Sequence, residues 1–260
     1  MLGVITIGID PEYSLGPITL AWHGMTIAIG IGLGTVFAAR WLRERDLSPE
    51  PLYTLTMLLA VAGLVGGRLF YLAEHGGPLL SSRGFTFDGG VILAALALAF
   101  WVWRSRLFGD YLDAIAAGLP FGVAIGRIGD VINGEHYGPV SNSLLAVRNS
   151  HPEAQTPDSR LAYENGGLYE VMLASVIFAI VWPLRHRLPR TGDVAWLVLG
   201  LFSIGRFFLF FVREDSPELA LGLSNTQWTS LVMLALVIVG RTVTARWSFS
   251  RADDAVSQGS

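Results

Sequence analysis

The sequence predicts an all-α polytopic membrane protein with about seven transmembrane helices. Of its 260 residues, 52% are hydrophobic and only 15% are charged, which is too apolar for an ordinary soluble domain. Apolar stretches of roughly 20 residues, the length that crosses the hydrocarbon core of a bilayer, recur along the chain. Arginines cluster in alternate loops between these stretches, as expected when a chain crosses a membrane repeatedly.

Seven apolar stretches are predicted to be spans, with limits uncertain by a few residues. They cover residues 18–40, 51–73, 89–107, 111–129, 167–184, 192–212 and 224–241. Arginines are concentrated in the first, third and fifth connections and after the seventh stretch, whereas the other connections carry few. By the positive-inside rule, the N-terminus is outside and the C-terminus is cytoplasmic.

The predicted organisation is a single transmembrane domain, residues 1–247, followed by a polar cytoplasmic tail, 248–260, that we expect to be disordered. The first residues lack the charged region and cleavage site of a removable signal peptide. The longest connection, about 130–166, is extracytoplasmic in this topology. A connection of that length is usually functional or disordered.

Two missing residue types exclude certain kinds of catalysis and metal binding. The chain has no cysteine, which excludes a cysteine nucleophile and thiolate metal ligands. All 18 basic side chains are arginines, so Schiff-base chemistry on lysine is excluded as well. The small net charge of -3 does not support a nucleic-acid partner, and no HExxH or paired-histidine spacing suggests a metal. No cofactor is therefore expected.

Ionisable groups are concentrated in the segment 126–138, GRIGDVINGEHYG, at the end of the fourth predicted span. Such groups are costly at membrane depth and by default mark a functional site. Arg127 is open to three interpretations, which are snorkelling to lipid phosphate, a structural ion pair, and binding of a substrate anion. Asp130 follows three residues later, so the two side chains would pair if the helix persists.

Further polar groups are predicted at the same membrane surface. Arg206 and Arg213 are seven residues apart near the end of the sixth span, which would place them on one helix face. Together with Arg127 they would neutralise a phosphate, and Arg68 is a fourth candidate. Three other side chains are each open to an interfacial or a functional interpretation; they are His23, Tyr169 and Glu170.

The segment 126–138 resembles the signature of the prolipoprotein diacylglyceryl transferase family, which is close to GRIGNFINGExxG. Four other elements resemble that family in the same order. They are SLGPITLAWHG in the first span, GRLFYL in the second, GLYEVML before the fifth and RFFLFFVRE in the sixth. The resemblance covers nearly the whole chain, and it also implies seven spans with an external N-terminus.

The resemblance implies transfer of the diacylglyceryl group of phosphatidylglycerol to the thiol of a lipobox cysteine in a preprolipoprotein, with release of glycerol phosphate. It implies a bacterial plasma (inner) membrane, with membrane lipids as further partners. Such a reaction needs a proton acceptor for the thiol and cationic donors for the departing phosphate.

Site roles also follow from the resemblance. The expected catalytic residues are Arg127, Glu135, Arg206, Arg213 and Asp88. The expected substrate-binding residues are His23, Arg68, Asp130, Asn133, Gly138, Tyr169 and Glu170. Arg127 of the signature segment and the two arginines of the sixth-span element would hold the phosphate. Glu135 and Asn133 would orient those arginines or bind the head group.

The chain also departs from the family pattern. Asp88 stands where the family has a histidine expected to assist the thiol, and His23 stands where it has a tyrosine. Asp130 replaces the asparagine of the signature, and Phe210 replaces a glutamate of the sixth-span element. Asp88 would then act as the base itself, or His23 or His136 would take the place of the missing histidine. The alternative is a divergent relative, with Arg127 neutralised by Asp130, that binds or transports an anionic phospholipid without catalysis.

Overall fold

A computed structural model describes residues 3–15, 18–79, 87–105, 108–188, 190–214, 216 and 218–257. Within these ranges it has seven long helices, separated by short connections and eight short strands. The helices are α1 (Trp22–Glu44), α2 (Glu50–His75), α3 (Phe87–Ser105), α4 (Phe108–Asn133), α5 (Gly166–Leu184), α6 (Asp193–Leu209) and α7 (Asn225–Ser257). The predicted helical framework is confirmed.

Several helix ends differ from the predicted ones. Helix α4 continues to Asn133, so most of the polar segment is helical, whereas α6 ends at Leu209, before the predicted limit of 212. Helix α7 continues to Ser257, well past 241. The tail that we expected to be disordered is therefore helical as far as that residue.

Four of the described helices are both long enough and apolar enough to cross a membrane. They are Trp22–Glu44, Glu50–His75, Gly109–Asn133 and Gly166–Arg187. Their exposed faces carry large apolar side chains, such as Met57, Leu64 and Val176, each more than half exposed. Faces of this kind are suited to lipid contact, because a soluble protein rarely exposes so much contiguous apolar surface. The chain is therefore a mostly helical membrane protein.

Helices α1 and α4 cross at very close range along a seam of glycines. A Cβ atom on Gly30 would lie 2.3 Å from the carbonyl oxygen of Gly122, and one on Gly118 would lie 2.2 Å from that of Gly34. Small residues allow this approach in membrane helices, where close backbone contact replaces the hydrophobic driving force. The seam fixes the register of α1 on α4.

The long connection after α4 forms part of a small sheet instead of an unstructured loop. The strands are β1 (Ile5–Ile7), β2 (Glu12–Leu15), β3 (Ile18–Ala21), β4 (Tyr137–Val140), β5 (Val147–Asn149), β6 (Tyr163–Asn165), β7 (Glu218–Ala220) and β8 (Leu223–Ser224). The sheet has the order β1-β5-β6-β4, with β1 parallel to β5. The all-α prediction is thus correct for the framework and incomplete for this end of the bundle, called the sheet end below.

A buried asparagine joins the sheet to the bundle. The side-chain amide of Asn149 donates to the carbonyl oxygens of Val131 and Ile132 at 2.9 and 3.0 Å. These are among the last carbonyls of α4, which lack partners inside the helix. The main apolar core, around Leu42, Leu52 and Val181, lies toward the opposite end. The polar side chains are therefore concentrated at the sheet end.

Candidate active site

Three guanidinium groups converge on the carboxylate of Glu170. Arg127 Nε lies 2.5 Å from one carboxylate oxygen, and the other oxygen lies 3.5 Å from Arg213 Nη1 and 3.6 Å from Arg206 Nη2. Asn165 caps α5 by accepting from the backbone N–H of Leu168, and this cap places Glu170 in the second turn. Glu170 is 4% exposed, so the cluster is largely shielded from water.

A second buried carboxylate, Asp130, joins Arg127 to two histidines. Its Oδ2 atom lies 2.5 Å from Arg127 Nη1 and 3.4 Å from His136 Nε2, and its Oδ1 atom lies 2.5 Å from His23 Nδ1. The predicted local pairing of Arg127 with Asp130 is confirmed. The contact with His23 spans 107 positions in the sequence.

The glycine seam makes the contact between His23 and Asp130 possible. A Cβ atom on Gly129 would lie 2.6 Å from His23 Cα and 2.3 Å from Thr26 Oγ1. Without that Cβ, the first turn of α1 packs directly on α4 beside Asp130. The Thr26 hydroxyl then donates to the carbonyl oxygen of Gly126 at 2.8 Å, across the same contact.

His136 lies between two arginines in a left-handed backbone conformation, with φ of 61°. Its carbonyl oxygen accepts from Gly166 N at 2.7 Å, and its Nδ1 lies 2.7 Å from Arg213 Nη2. Arginine is only a donor, so Nδ1 is the acceptor and the ring proton is on Nε2, facing Asp130. The imidazole thus connects Arg213 to Asp130.

Arg213 lies beyond the end of α6, so the prediction that it shares a helix face with Arg206 is wrong. The backbone turns after Leu209 because the segment that follows packs against β4. Gly138 packs so closely that a Cβ atom there would lie 2.1 Å from the carbonyl oxygen of Val212. Both arginines nevertheless contact Glu170.

An aromatic ring supports these two arginines. The Cζ atoms of Arg213 and Arg206 lie 4.3 and 5.3 Å from the ring centroid of Phe210. Cation–π contacts of this kind attract a guanidinium to the ring without neutralising its charge. Phe210 therefore leaves the positive charge available where a glutamate would cancel part of it.

Glu135 and Asn133 contact each other instead of the arginines. Asn133 Nδ2 donates to Glu135 Oε1 at 2.8 Å, and the Gln155 side chain approaches the same oxygen at 3.3 Å. Glu135 Oε2 lies 3.7 Å from His23 Nδ1. Glu135 thus lies beside His23, and its described contacts do not include the guanidinium groups that we expected it to orient.

Residues 12–243 match the family model described as prolipoprotein diacylglyceryl transferase. The chain belongs to the prolipoprotein diacylglyceryl transferase family. It is 30% identical, over 86% of its length and 91% of the relative's, to phosphatidylglycerol–prolipoprotein diacylglyceryl transferase of Streptococcus agalactiae. It is 28% identical to the protein of that name from Symbiobacterium thermophilum, with 94% of each chain covered. It is 29% identical to the protein of that name from Neisseria meningitidis serogroup C, with 87% of this chain and 92% of the relative covered.

In this member of the transferase family, Tyr169 faces away from the arginine cluster. Its hydroxyl donates to Glu164, which also accepts from the hydroxyl of Ser141. Partial burial alone would raise the pKa of Glu164, but the hydroxyl hydrogen bonds outweigh it and hold the pKa below its ordinary value. The Tyr169 ring also borders an apolar groove between α5 and α6, whose other walls include Leu173 and Phe208.

Two further expected site residues, Arg68 and Asp88, belong to α2 and α3. The Arg68 guanidinium donates to the carbonyl oxygens of Pro78 and Leu79, in the connection after α2. Asp88 is the second residue of α3, and its side chain lies outside what the structure describes. The structure therefore provides no contact that tests Asp88 as a base.

Three side chains of the candidate site have ligand atoms close enough to hold a metal ion. They belong to His23, Asp130 and Glu135, and the atoms lie within 4.8 Å of one another. However, Asp130 already pairs with His23 through one oxygen and with Arg127 through the other. These donors satisfy one another, so the arrangement favours a hydrogen-bonded network over a cation site.

Proposed function

We propose that the protein transfers the diacylglyceryl group from phosphatidylglycerol to the thiol of a lipobox cysteine, the activity that its relatives' names describe. In this step a C–S bond forms between the cysteine sulfur and the glycerol carbon. The bond between that carbon and the phosphate oxygen breaks, the thiol loses a proton, and glycerol phosphate leaves. The lipid phosphate thereby changes from a diester with one negative charge to a monoester with two.

The observation that carries this proposal is the convergence of three guanidinium groups at one place. Arg127, Arg206 and Arg213 all contact the buried carboxylate of Glu170, and Arg127 also pairs with Asp130. Preorganised cations in a water-poor site stabilise charge that develops on a leaving group. The cluster therefore favours the departing phosphate more than the bound diester.

The apolar groove between α5 and α6 suits the acyl part of the donor lipid. It is lined by Tyr169, Leu173, Gly205, Phe208 and Leu209. Glu170 and Arg206 immediately follow the groove residues Tyr169 and Gly205 in the sequence. A lipid with its acyl chain in this groove would lie against the two helices that carry Glu170 and Arg206.

The roles of the remaining residues follow from their contacts. Asn133 and Glu135 position the first turn of α1 through His23, and Glu170 holds the three arginines together. Gly138 allows the connection that carries Arg213 to approach the sheet. These residues position the site in our proposal, whereas the arginines contact the phosphate.

The topology proposed is seven spans in a bacterial plasma (inner) membrane, with the sheet end and N-terminus outside and the C-terminus inside. It is supported by the seven helices among the described residues and by the arginine-rich loops. Because the chain has no cysteine, single cysteines at Asn142 and Ser48 report the side of each loop. A membrane-impermeant maleimide should label N142C and not S48C in intact cells, and the reverse pattern would refute the orientation.

The activity is tested with purified protein, phosphatidylglycerol and a lipobox peptide, with the thioether product measured by mass spectrometry. Arg127→Ala should lower the rate by about 10²- to 10³-fold, the usual cost of one electrostatic donor. Arg160→Ala is the matched control, because that arginine is 86% exposed and pairs with Asp158 away from the cluster. Lipid binding without product from the wild type would refute transfer and support a binding protein.

A further inference from the structure

We propose that His23, held by the buried carboxylate of Asp130, is the catalytic base that accepts the proton of the lipobox thiol. This proposal rests on the proposed function, because it assigns a step of that transfer. A thiol is mostly protonated at neutral pH, and only its thiolate is an effective nucleophile. The site must therefore contain a group with a lone pair that faces the incoming sulfur.

Most polar groups of the cluster are already engaged. Both oxygens of Glu170 face guanidinium groups, and both oxygens of Asp130 have partners at 2.5 Å. Both ring nitrogens of His136 lie near arginine donors, at 2.7 and 3.3 Å. These groups are poor proton acceptors, because each acceptor position is occupied or the added proton would face a cation.

His23 differs from them in one respect. Its Nδ1 atom lies 2.5 Å from Asp130 Oδ1, so Nδ1 carries the proton and donates it to the carboxylate. The other ring nitrogen, Nε2, is then the acceptor, and it has no hydrogen-bond partner among the residues that the structure describes. The His23 side chain is 39% exposed, so an external nucleophile has access to the ring.

Asp130 is the positioning residue of this pair. A carboxylate on one imidazole nitrogen fixes the tautomer and stabilises the imidazolium that forms when the other nitrogen takes a proton. Its second oxygen binds Arg127. One carboxylate thus connects the group that receives the proton to a group that stabilises the departing phosphate.

Both members of the pair are positions at which the chain departs from the pattern of the family it resembles, which has a tyrosine and an asparagine there. They lie on helices that meet at Gly129, and their side chains are in contact. The departure that first suggested an inactivated Arg127 therefore has a chemical use.

In the proposed step, the thiol proton moves to His23 Nε2 while the sulfur attacks the glycerol carbon. The electron pair of the broken C–O bond remains on the phosphate oxygen, next to the arginines. The proton on His23 is then released to water or to the glycerol phosphate. No oxidant, reductant or further reactant is required.

The test measures how the transfer rate of a variant without the histidine base depends on the ionisation of the nucleophile. His23→Asn should lower transfer to a cysteine peptide at pH 7 by about 10²- to 10⁴-fold. From pH 7 to 9 the thiolate fraction of a free cysteine with pKa about 8.5 rises roughly 25-fold, so the variant should recover by about that factor relative to wild type. The charged groups that face His23 are Asp130, Glu135 and Arg127.

A selenocysteine peptide gives the same test at constant pH. Selenols are ionised at neutral pH, so most of the His23→Asn defect should disappear with this nucleophile. His151→Asn is the matched control, because this histidine lies beside Asp10, outside the cluster. It should behave as wild type with both peptides.

Asp130→Asn provides a second variant should His23→Asn fail to fold. If Asp130 acts through the base, its defect should also shrink with the selenocysteine peptide. A defect of equal size with both nucleophiles, in either variant, would overturn the proposal, as would wild-type rates in His23→Asn. Loss of wild-type activity with a chelator and recovery with Zn²⁺ would assign these side chains to a metal and also overturn it. An inactive wild type would instead refute the proposed function.

Discussion

Glu170→Gln is the substitution that most directly tests the arginine cluster. Glutamine keeps the shape of the side chain and one acceptor oxygen, but it removes the negative charge that three guanidinium groups share. The change is expected to destabilise the fold, because three neighbouring cations then repel one another near a low-dielectric medium. It is also expected to strengthen the binding of soluble phosphate monoesters.

The expected magnitude follows from the distances and exposures. A unit charge pair at 2.5 Å, the separation of Arg127 Nε and Glu170 Oε2, attracts by about 7 kcal/mol at an effective dielectric of about 20. Desolvation of the buried carboxylate, several kcal/mol, offsets much of this. Because the Arg206 side chain is 36% exposed and therefore partly screened, we expect a net loss of about 2–4 kcal/mol.

The assay is thermal unfolding in detergent with and without glycerol phosphate. For a chain of this size the expected loss corresponds to a fall in Tm of about 4–16 °C. Glu164→Gln is the matched control, because this glutamate precedes the same helix and accepts from hydroxyls instead of guanidinium groups. Glutamine can still accept from these hydroxyls, so the change from charge-assisted to neutral hydrogen bonds should cost only about 1 kcal/mol.

The result with ligand is the sharper criterion. Glycerol phosphate should raise the Tm of Glu170→Gln more than that of the wild type, because the anion replaces the missing carboxylate. An equal Tm for Glu170→Gln and Glu164→Gln, or an equal ligand effect in Glu170→Gln and wild type, would refute the idea that Glu170 neutralises an anion site.

Three further predictions concern packing and pH. Gly118→Ala places a Cβ against the backbone of α1, so Tm should fall by the equivalent of about 1–3 kcal/mol; an unchanged Tm would contradict the seam. Gly138→Ala, 2.1 Å from the carbonyl oxygen of Val212, should displace Arg213 and raise KM for phosphatidylglycerol more than it lowers kcat. Because folding lowers the pKa of Glu164, its contribution to stability is full above its ordinary pKa of 4.5 and is lost as pH falls below that value. Glu164→Gln should remove this part of the acid dependence in denaturation midpoints, and an unchanged dependence would contradict it.

The helical framework was predictable because apolar runs of membrane length determine it. The strands were not, since β1, β5 and β6 have only three residues each, and β1 pairs with β5 across more than a hundred positions. The end of α6 was also missed. Its hydropathy continues past Leu209, but the backbone turns where Gly138 meets Val212, and a local pattern cannot report that contact.

The site was predictable in its residue types and only partly in its contacts. Arg127, Arg206 and Arg213 were expected to converge because each ends a span at the same surface, and all three contact Glu170. The role of His136 was missed, although its place between Gly134 and Gly138 was a signal for an unusual backbone. Contacts set by tertiary packing leave no periodic trace in the sequence.

The glycine seam between α1 and α4 fixes the alignment of the polar side chains at its end. An α-helix rises 1.5 Å and turns about 100° per residue, so a slip of α1 by one position would rotate the His23 ring away from Asp130. Gly30 and Gly34 lie two to three turns away and hold this alignment without approaching the cluster. Residues deep between the helices, far from lipid head group and peptide, thereby determine whether a proton can be transferred at the membrane surface.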